Sequence, residues 1–158
     1  MNAGPLLVLV VAALDQMRLA AILIGNAAAA IQGAPVTTVD FDFMFRKTPV
    51  NLAKLRKFTV LMDAVILRPY YPVSALYRVM NDDGGLQADF MPAIHKIKSF
   101  NSLRSRAEKI SFEGRPLWVA HLADIIASKR AAARPRDNAV LEILQKTLHE
   151  KIKSSSKT

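Results

Sequence analysis

Asp40 and Asp42 stand one residue apart in the stretch Val39-Asp40-Phe41-Asp42-Phe43-Met44-Phe45. Acidic and apolar residues alternate there with period two, the pattern of a half-buried strand. Successive strand side chains point to opposite faces, so Asp40 and Asp42 share one face while Phe41, Phe43 and Phe45 share the other. Adjacent carboxylates repel unless something neutralises them. A hard cation such as Mg²⁺, which takes oxygen ligands and keeps several waters, is suited to that task. Carboxylate pairs of this kind position metals for phosphate chemistry. A strand with one wet face also carries Asp for solubility alone, so the surroundings of the pair decide between the two readings.

Two further segments bear on that decision. Leu19 to Ile24 reads as a short buried strand, after which Gly25-Asn26 opens an Ala-rich helix over 27–32 that Gly33-Ala34-Pro35 ends. A helix start presents unpaired N–H groups and a partial positive charge, and glycine there lets a ligand approach, which suits a phosphate. In Leu86 to Phe90, Gln87 and Asp89 share one strand face and Leu86, Ala88 and Phe90 the other, so Asp89 joins the two earlier acids if its strand neighbours theirs.

The elements that must position these residues follow from periodicity and turn chemistry. Residues 4–17 read as a helix with a broad apolar face, 39–45 as the acidic strand, and 49–63 as a helix with Pro49 in its first turn. Ser74 to Met80 and Leu86 to Met91 form a hairpin around Asn81-Asp82-Asp83-Gly84-Gly85. Residues 99–109 suit a short basic helix, and 109–112 with 115–119 a second hairpin around Glu113-Gly114. Leu122 to Ala132 and Pro135 to Lys153 are helices, and the Ser-rich tail 154–158 is expected to be disordered. The predicted architecture is one α/β (α+β) domain over residues 1–153, a small mixed sheet flanked by helices and closed by C-terminal helices.

At 158 residues the chain is long enough for a real core, and 51% hydrophobic with 22% charged residues is a globular composition. The absence of cysteine excludes disulfides and thiolate metal sites and fits a reducing cytoplasm. A net charge of +9 favours a polyanionic partner: nucleotide, RNA or an anionic surface. Aromatic content is 7% and no basic segment is interleaved with aromatics, which argues against a base-stacking platform. The apolar runs Pro5 to Leu14 and Leu19 to Ile31 are too short to span a bilayer, so no membrane partner is expected, and no basic residue precedes the first as a secretory signal requires. His95, His121 and His149 lack metal-ligand spacing.

Gly25-Asn26, Thr37-Thr38-Val39-Asp40-Phe41-Asp42, Asp89 between Ala88 and Phe90, and Ile126-Ala127-Ser128-Lys129-Arg130-Ala131-Ala132-Ala133-Arg134-Pro135-Arg136-Asp137 occur in an order that resembles the minimal nucleotidyltransferases of the polymerase-beta superfamily. The subgroup includes stand-alone bacterial proteins and nucleotidyltransferase-like toxins of toxin–antitoxin pairs. The resemblance covers roughly residues 10–145 and implies transfer of a nucleoside monophosphate from an NTP to an acceptor hydroxyl on RNA or tRNA, a protein, or a small molecule. It implies two Mg²⁺ ions, with Mn²⁺ as a substitute, held by Asp40, Asp42 and Asp89. It places Gly25, Asn26 and Thr37 near the phosphates, Lys129 and Arg134 as charge-balancing cations, and Asp137 as their orienting partner. An antitoxin or a second copy of the chain is an implied protein partner. Two positions depart from the pattern: Asn26 stands where relatives carry Gly or Ser, and Val36 where many carry Arg. These departures leave as a rival a non-catalytic nucleotide- or partner-binding protein of the same fold, and a second rival is a basic RNA-binding module whose acids only solubilise a strand.

Overall fold

The computed structural model describes residues 4–38, 40–68 and 75–156. Among them, helices and strands follow in the order α1 (Gly4–Met17), β1 (Ala21–Ile24), α2 (Gly25–Ile31), β2 (Phe41–Phe45), α3 (Pro49–Leu61), β3 (Val65–Leu67), β4 (Tyr77–Asn81), β5 (Leu86–Met91), α4 (Phe100–Arg106), β6 (Glu108–Phe112), β7 (Arg115–Val119), α5 (Leu122–Ala132) and α6 (Pro135–Ser156). The strands form one mixed sheet in the order β3-β4-β5-β2-β1-β7-β6. β2 pairs antiparallel with β1 and parallel with β5, and β1 pairs parallel with β7. The expected α/β architecture, a mixed sheet with helices against it and two helices at the C-terminal end, is the one observed.

The alternation in β2 sets the core. Phe41, Phe43 and Phe45 are buried, and Phe43 stacks on Phe90 of β5 with ring centroids 5.0 Å apart. Phe58 of α3 meets Phe90 edge-on at 5.4 Å, so α3 covers this face of the sheet. Aromatic contacts of this kind add roughly 1 kcal/mol each beyond the area they bury. Helix α3 begins where local chemistry dictates: the Thr48 hydroxyl accepts from the Asn51 N–H, and Pro49 occupies the first turn, where no N–H is needed. Asn51 is itself buried and clasps the adjacent ends of β1 and β2. Its Oδ1 accepts from the Ala20 N–H at 2.9 Å, and its Nδ2 donates to the carbonyls of Ala20 and Arg46.

Some element bounds differ from the sequence expectation. The acidic strand begins at Phe41, so Asp40 precedes the ladder; Val39 and Ser74 lie outside the described residues. Strand β3 was not anticipated, because Val65–Leu67 is three residues long and its stability comes from pairing with β4 at the sheet edge. Helix α4 ends at Arg106, and its continuation is claimed by β6. Helix α6 runs on to Ser156 rather than fraying after Lys153. Its last turns are anchored by Lys151, whose Nζ donates to Gln32 Oε1 at 2.7 Å and Glu108 Oε1 at 2.9 Å. No helix among the described residues is long and apolar enough to cross a membrane.

Candidate active site

Strand register builds the site. Ile24 of β1 faces Asp42 of β2, Asp42 faces Asp89 of β5, and Asp89 faces Arg78 of β4. Neighbouring strands lie about 4.8 Å apart, so this register lines up Asp42, Asp89 and Arg78 as one row across the sheet. Asp89 is buried, and both of its oxygens are engaged: Arg78 Nε donates to Oδ1 at 2.9 Å and Nη2 to Oδ2 at 3.1 Å. This forked pair raises the Arg78 pKa, chiefly through the hydrogen bond to Asp89. Arg78 was not among the residues singled out from the sequence. It reads there as one cation on a strand, and only the β4–β5 register reveals its partner.

The chain leaves the sheet beside this row. Gly25 begins α2 with φ of +68°, and a Cβ there would lie 3.1 Å from Asp42 Oδ2. Glycine is therefore required by conformation and by proximity to the carboxylate. Asn26 follows, with its Oδ1 buried and, among the described residues, without a hydrogen-bond partner. Asp40 is presented by the turn ahead of β2, where the Thr38 hydroxyl donates to the Asp40 carbonyl at 2.6 Å. Thr37 is exposed on the wall of a cavity that Asp40 and Asp42 also line.

The late helices bring the cations. Helix α5 ends on Ala133 in the left-handed conformation, with φ of +53°, and this sharp reversal folds the start of α6 back against α5. Asp137 is thereby buried and accepts from Arg134 Nε and, at 3.2 Å, from Nη2, with Lys129 Nζ at 3.7 Å. Burial works against its charge, but the Arg134 hydrogen bond and the two cations outweigh it and hold the carboxyl below its usual range. Burial lowers the Lys129 pKa, while Asp137 and Asp42 oppose that loss. The late-helix residues expected at the site, Lys129, Arg134 and Asp137, do converge on it. Arg136, which was expected only as part of the motif, joins them.

Two adjoining cavities of about 610 and 330 Å³ share Asp42, Arg78, Asp89, Lys129, Arg134 and Arg136 as walls. Asp40, Asn26, Thr37 and Gln87 line the smaller, and Gly25, Ser128 and His95 the larger. The Asp42 carboxyl is pushed up to about 6 by burial, then by the charges of Asp89 and Asp40, with Lys129 and Arg136 acting against them. Among the described residues the side chains of Asp40 and Asp42 take no hydrogen bond or ion pair. This donor set fits a hard cation. Two hydrogen-bond-free carboxylates stand together, one of them carrying a raised pKa that a positive charge would relieve, beside an orphaned amide oxygen. Asp89 differs, since Arg78 already satisfies it. Among the described residues no group of three or more Asp, Glu, His or Cys side chains is arranged to hold a metal ion.

The fold is that of the minimal nucleotidyltransferases. The structure of ANT(2'')-Ia in complex with adenylyl-2''-tobramycin superposes with a TM-score of 0.66 over 98% of this chain and 94% of its own, at 16% identity. The lincosamide antibiotic adenylyltransferase LnuA, bound to lincomycin, matches with a TM-score of 0.60 over 92% of this chain and 96% of its own, at 11% identity. TM1012 of Thermotoga maritima, assigned as a nucleotidyltransferase, matches with a TM-score of 0.59, 92% coverage of each chain and 15% identity. No protein-family model matches the sequence, and no curated protein sequence matches it.

Proposed function

We propose that this protein transfers a nucleoside monophosphate from an NTP to a hydroxyl of a small acceptor molecule. The carrying observation is the carboxylate row Asp42–Asp89, closed on one side by Gly25 and on the other by Lys129, Arg134 and Arg136. The larger cavity, about 610 Å³, is the size of a typical small-molecule site. Fold-mates whose structures hold adenylyl-tobramycin or lincomycin make a hydroxylated small molecule the preferred acceptor over RNA or protein.

In this reading Asp40 and Asp42 would hold Mg²⁺. Bound there, the ion would neutralise triphosphate charge as the α-phosphorus is attacked. Lys129 and Arg136 balance the charge that accumulates on the pyrophosphate leaving group, an effect strongest at a half-buried cation. Asp137 orients Lys129 and Arg134 for that task. The absence of a side chain at Gly25 leaves room for the phosphates along the start of α2, and the Asn26 side-chain NH₂ can donate to them. Asp89, fixed by Arg78, faces the acceptor and takes the proton from its hydroxyl. A bond forms between acceptor oxygen and α-phosphorus, and the bond from α-phosphorus to the β-phosphate bridging oxygen breaks.

A second reading draws on the Arg78–Asp89 fork. With both Asp89 oxygens occupied, the fold would bind an NTP without turnover, as either a nucleotide sensor or a toxin-like partner protein. Incubation with each α-³²P-NTP, Mg²⁺ and a panel of aminoglycosides, lincosamides, tRNA and cell extract separates the two. Transfer of label to a small acceptor supports the first reading. Mg²⁺-enhanced NTP binding with no labelled product in any arm supports the second.

A further inference from the structure

A second charged cavity, of about 370 Å³, lies at the opposite end of β1 and β2. The β1–β2 register runs from Ile24↔Asp42 at the candidate active site to Ala21↔Phe45 at the far end, and Arg46 and Arg18 flank that far end. Arg104 from α4 and Lys109 from β6 complete a lining with four cations and a single acid, Asp15, which already accepts from Arg115 at 3.2 Å. Among the described residues, Arg18, Arg46, Arg104 and Lys109 form no ion pair.

Two of these cations are held in place without being neutralised. The Arg46 guanidinium stands over the Phe100 ring at 4.7 Å, and that of Arg104 over the Trp118 ring at 3.0 Å. An aromatic face orients a guanidinium while leaving its N–H edge free, whereas a carboxylate consumes both charge and donors. Burial and the nearby Arg46 charge lower the Arg104 pKa, the expected consequence of crowding cations with no anion between them.

We propose that this cavity binds a phosphoryl group of two or more negative charges, a terminal phosphate or pyrophosphoryl group whose oxygens take the N–H edges of Arg46 and Arg104. Such a group comes from a free phosphorylated small molecule or from the 5′ end of a nucleic acid. The site is separate from the carboxylate row and does not depend on the reading of it.

Trp118 is the only tryptophan, so its fluorescence reports on this cavity. Pyrophosphate is titrated into the intact protein in metal-free buffer, with calorimetry alongside. The expected result is saturable binding with a change in Trp118 emission, weakened at least tenfold in Arg46→Gln and Arg104→Gln, and a few-fold in Lys109→Gln at an exposed position that leaves the fold intact. Arg136→Gln, an exposed position in the other cleft, leaves it unchanged. Displacement of pyrophosphate by a 5′-phosphorylated ribo-oligonucleotide, but not by its 5′-hydroxyl counterpart, assigns the source as a nucleic-acid end; displacement by neither assigns a free phosphorylated molecule. No saturable binding, or binding that Arg46→Gln and Lys109→Gln leave intact, overturns the proposal. So does binding weakened tenfold or more in Arg136→Gln, which would place the anion in the other cleft.

Discussion

The two ends of the central strands treat arginine in opposite ways. At the Asp42 end two of the three guanidiniums lining the cavities hold a carboxylate, Arg78 on Asp89 and Arg134 on Asp137, while Arg136 forms no ion pair among the described residues. At the Arg46 end the guanidiniums rest on rings, Arg46 on Phe100 and Arg104 on Trp118, and their charges stay uncompensated. The first arrangement fixes carboxylates and leaves one pair, Asp40 and Asp42, in need of a cation. The second leaves cations in need of an anion. One sheet thus carries sites of opposite demand, and a net charge of +9 does not distinguish them.

Removing a carboxylate from the compensated end gives the largest expected effect. Asp137→Ala strands half-buried Lys129 and frees Arg134, and should cost about 3 kcal/mol in chemical denaturation. A cost below about 1 kcal/mol would show that the late-helix cluster is solvated rather than built. Arg78→Ala leaves buried Asp89 without its fork. Because Arg78 is a third exposed, the cost is discounted to about 2 kcal/mol.

The Asp42 carboxyl gives a smaller, pH-dependent effect. Its pKa rises from 3.8 unfolded to about 6 folded, so the native state binds its proton more tightly. The resulting penalty is full above about pH 6 and is relieved as pH falls toward 4. In the presence of a chelator, Asp42→Asn should therefore be more stable than wild type by roughly 1 kcal/mol at pH 7, after allowance for solvent screening, with the difference gone near pH 4. A variant less stable at pH 7 would mean that the carboxylate is already neutralised by the surrounding cations.

The smallest effect belongs to the other end. Arg46→Gln loses a contact to Phe100 and relieves repulsion with Arg104, so stability should change by no more than about 1 kcal/mol, with the sign set by ionic strength. Similar losses for Arg46→Gln and Arg78→Ala would erase the contrast between the two ends.

Much of this was legible in the chain, for local reasons. The alternation of Phe41, Phe43 and Phe45 with acids marked β2, and the Asn81 to Gly85 turn marked the β4–β5 hairpin. That hairpin is closed by the Gly84 N–H donating to Asn81 Oδ1 at 2.9 Å. Alternation in Leu86–Met91 put Asp89 on one face with Gln87, and the family resemblance, rather than any spacing, singled out Lys129, Arg134 and Asp137. What the sequence concealed depends on pairing between distant segments. Arg78 meets Asp89 through register, β3 exists only because β4 is there to pair with it, and the ring-held arginines join residues 46 with 100 and 104 with 118. No basic segment is interleaved with aromatics along the chain, yet folding assembles four cation–ring pairs among the described residues, two of them at the Arg46 end. Asp40 also lies ahead of the strand, so alternation alone did not place it.

The central claim is that Asp40 and Asp42 form a nucleotide-linked cation site. Calorimetric titration of ATP, GTP, CTP and UTP, each with and without Mg²⁺, tests it on the wild type and on the Asp40→Ala/Asp42→Ala variant. At least one NTP should bind wild type tenfold or more tightly with Mg²⁺, an enhancement of about 1.4 kcal/mol or greater, and the variant should lose it. Equal binding with and without Mg²⁺, or an enhancement that survives in the variant, would contradict the account.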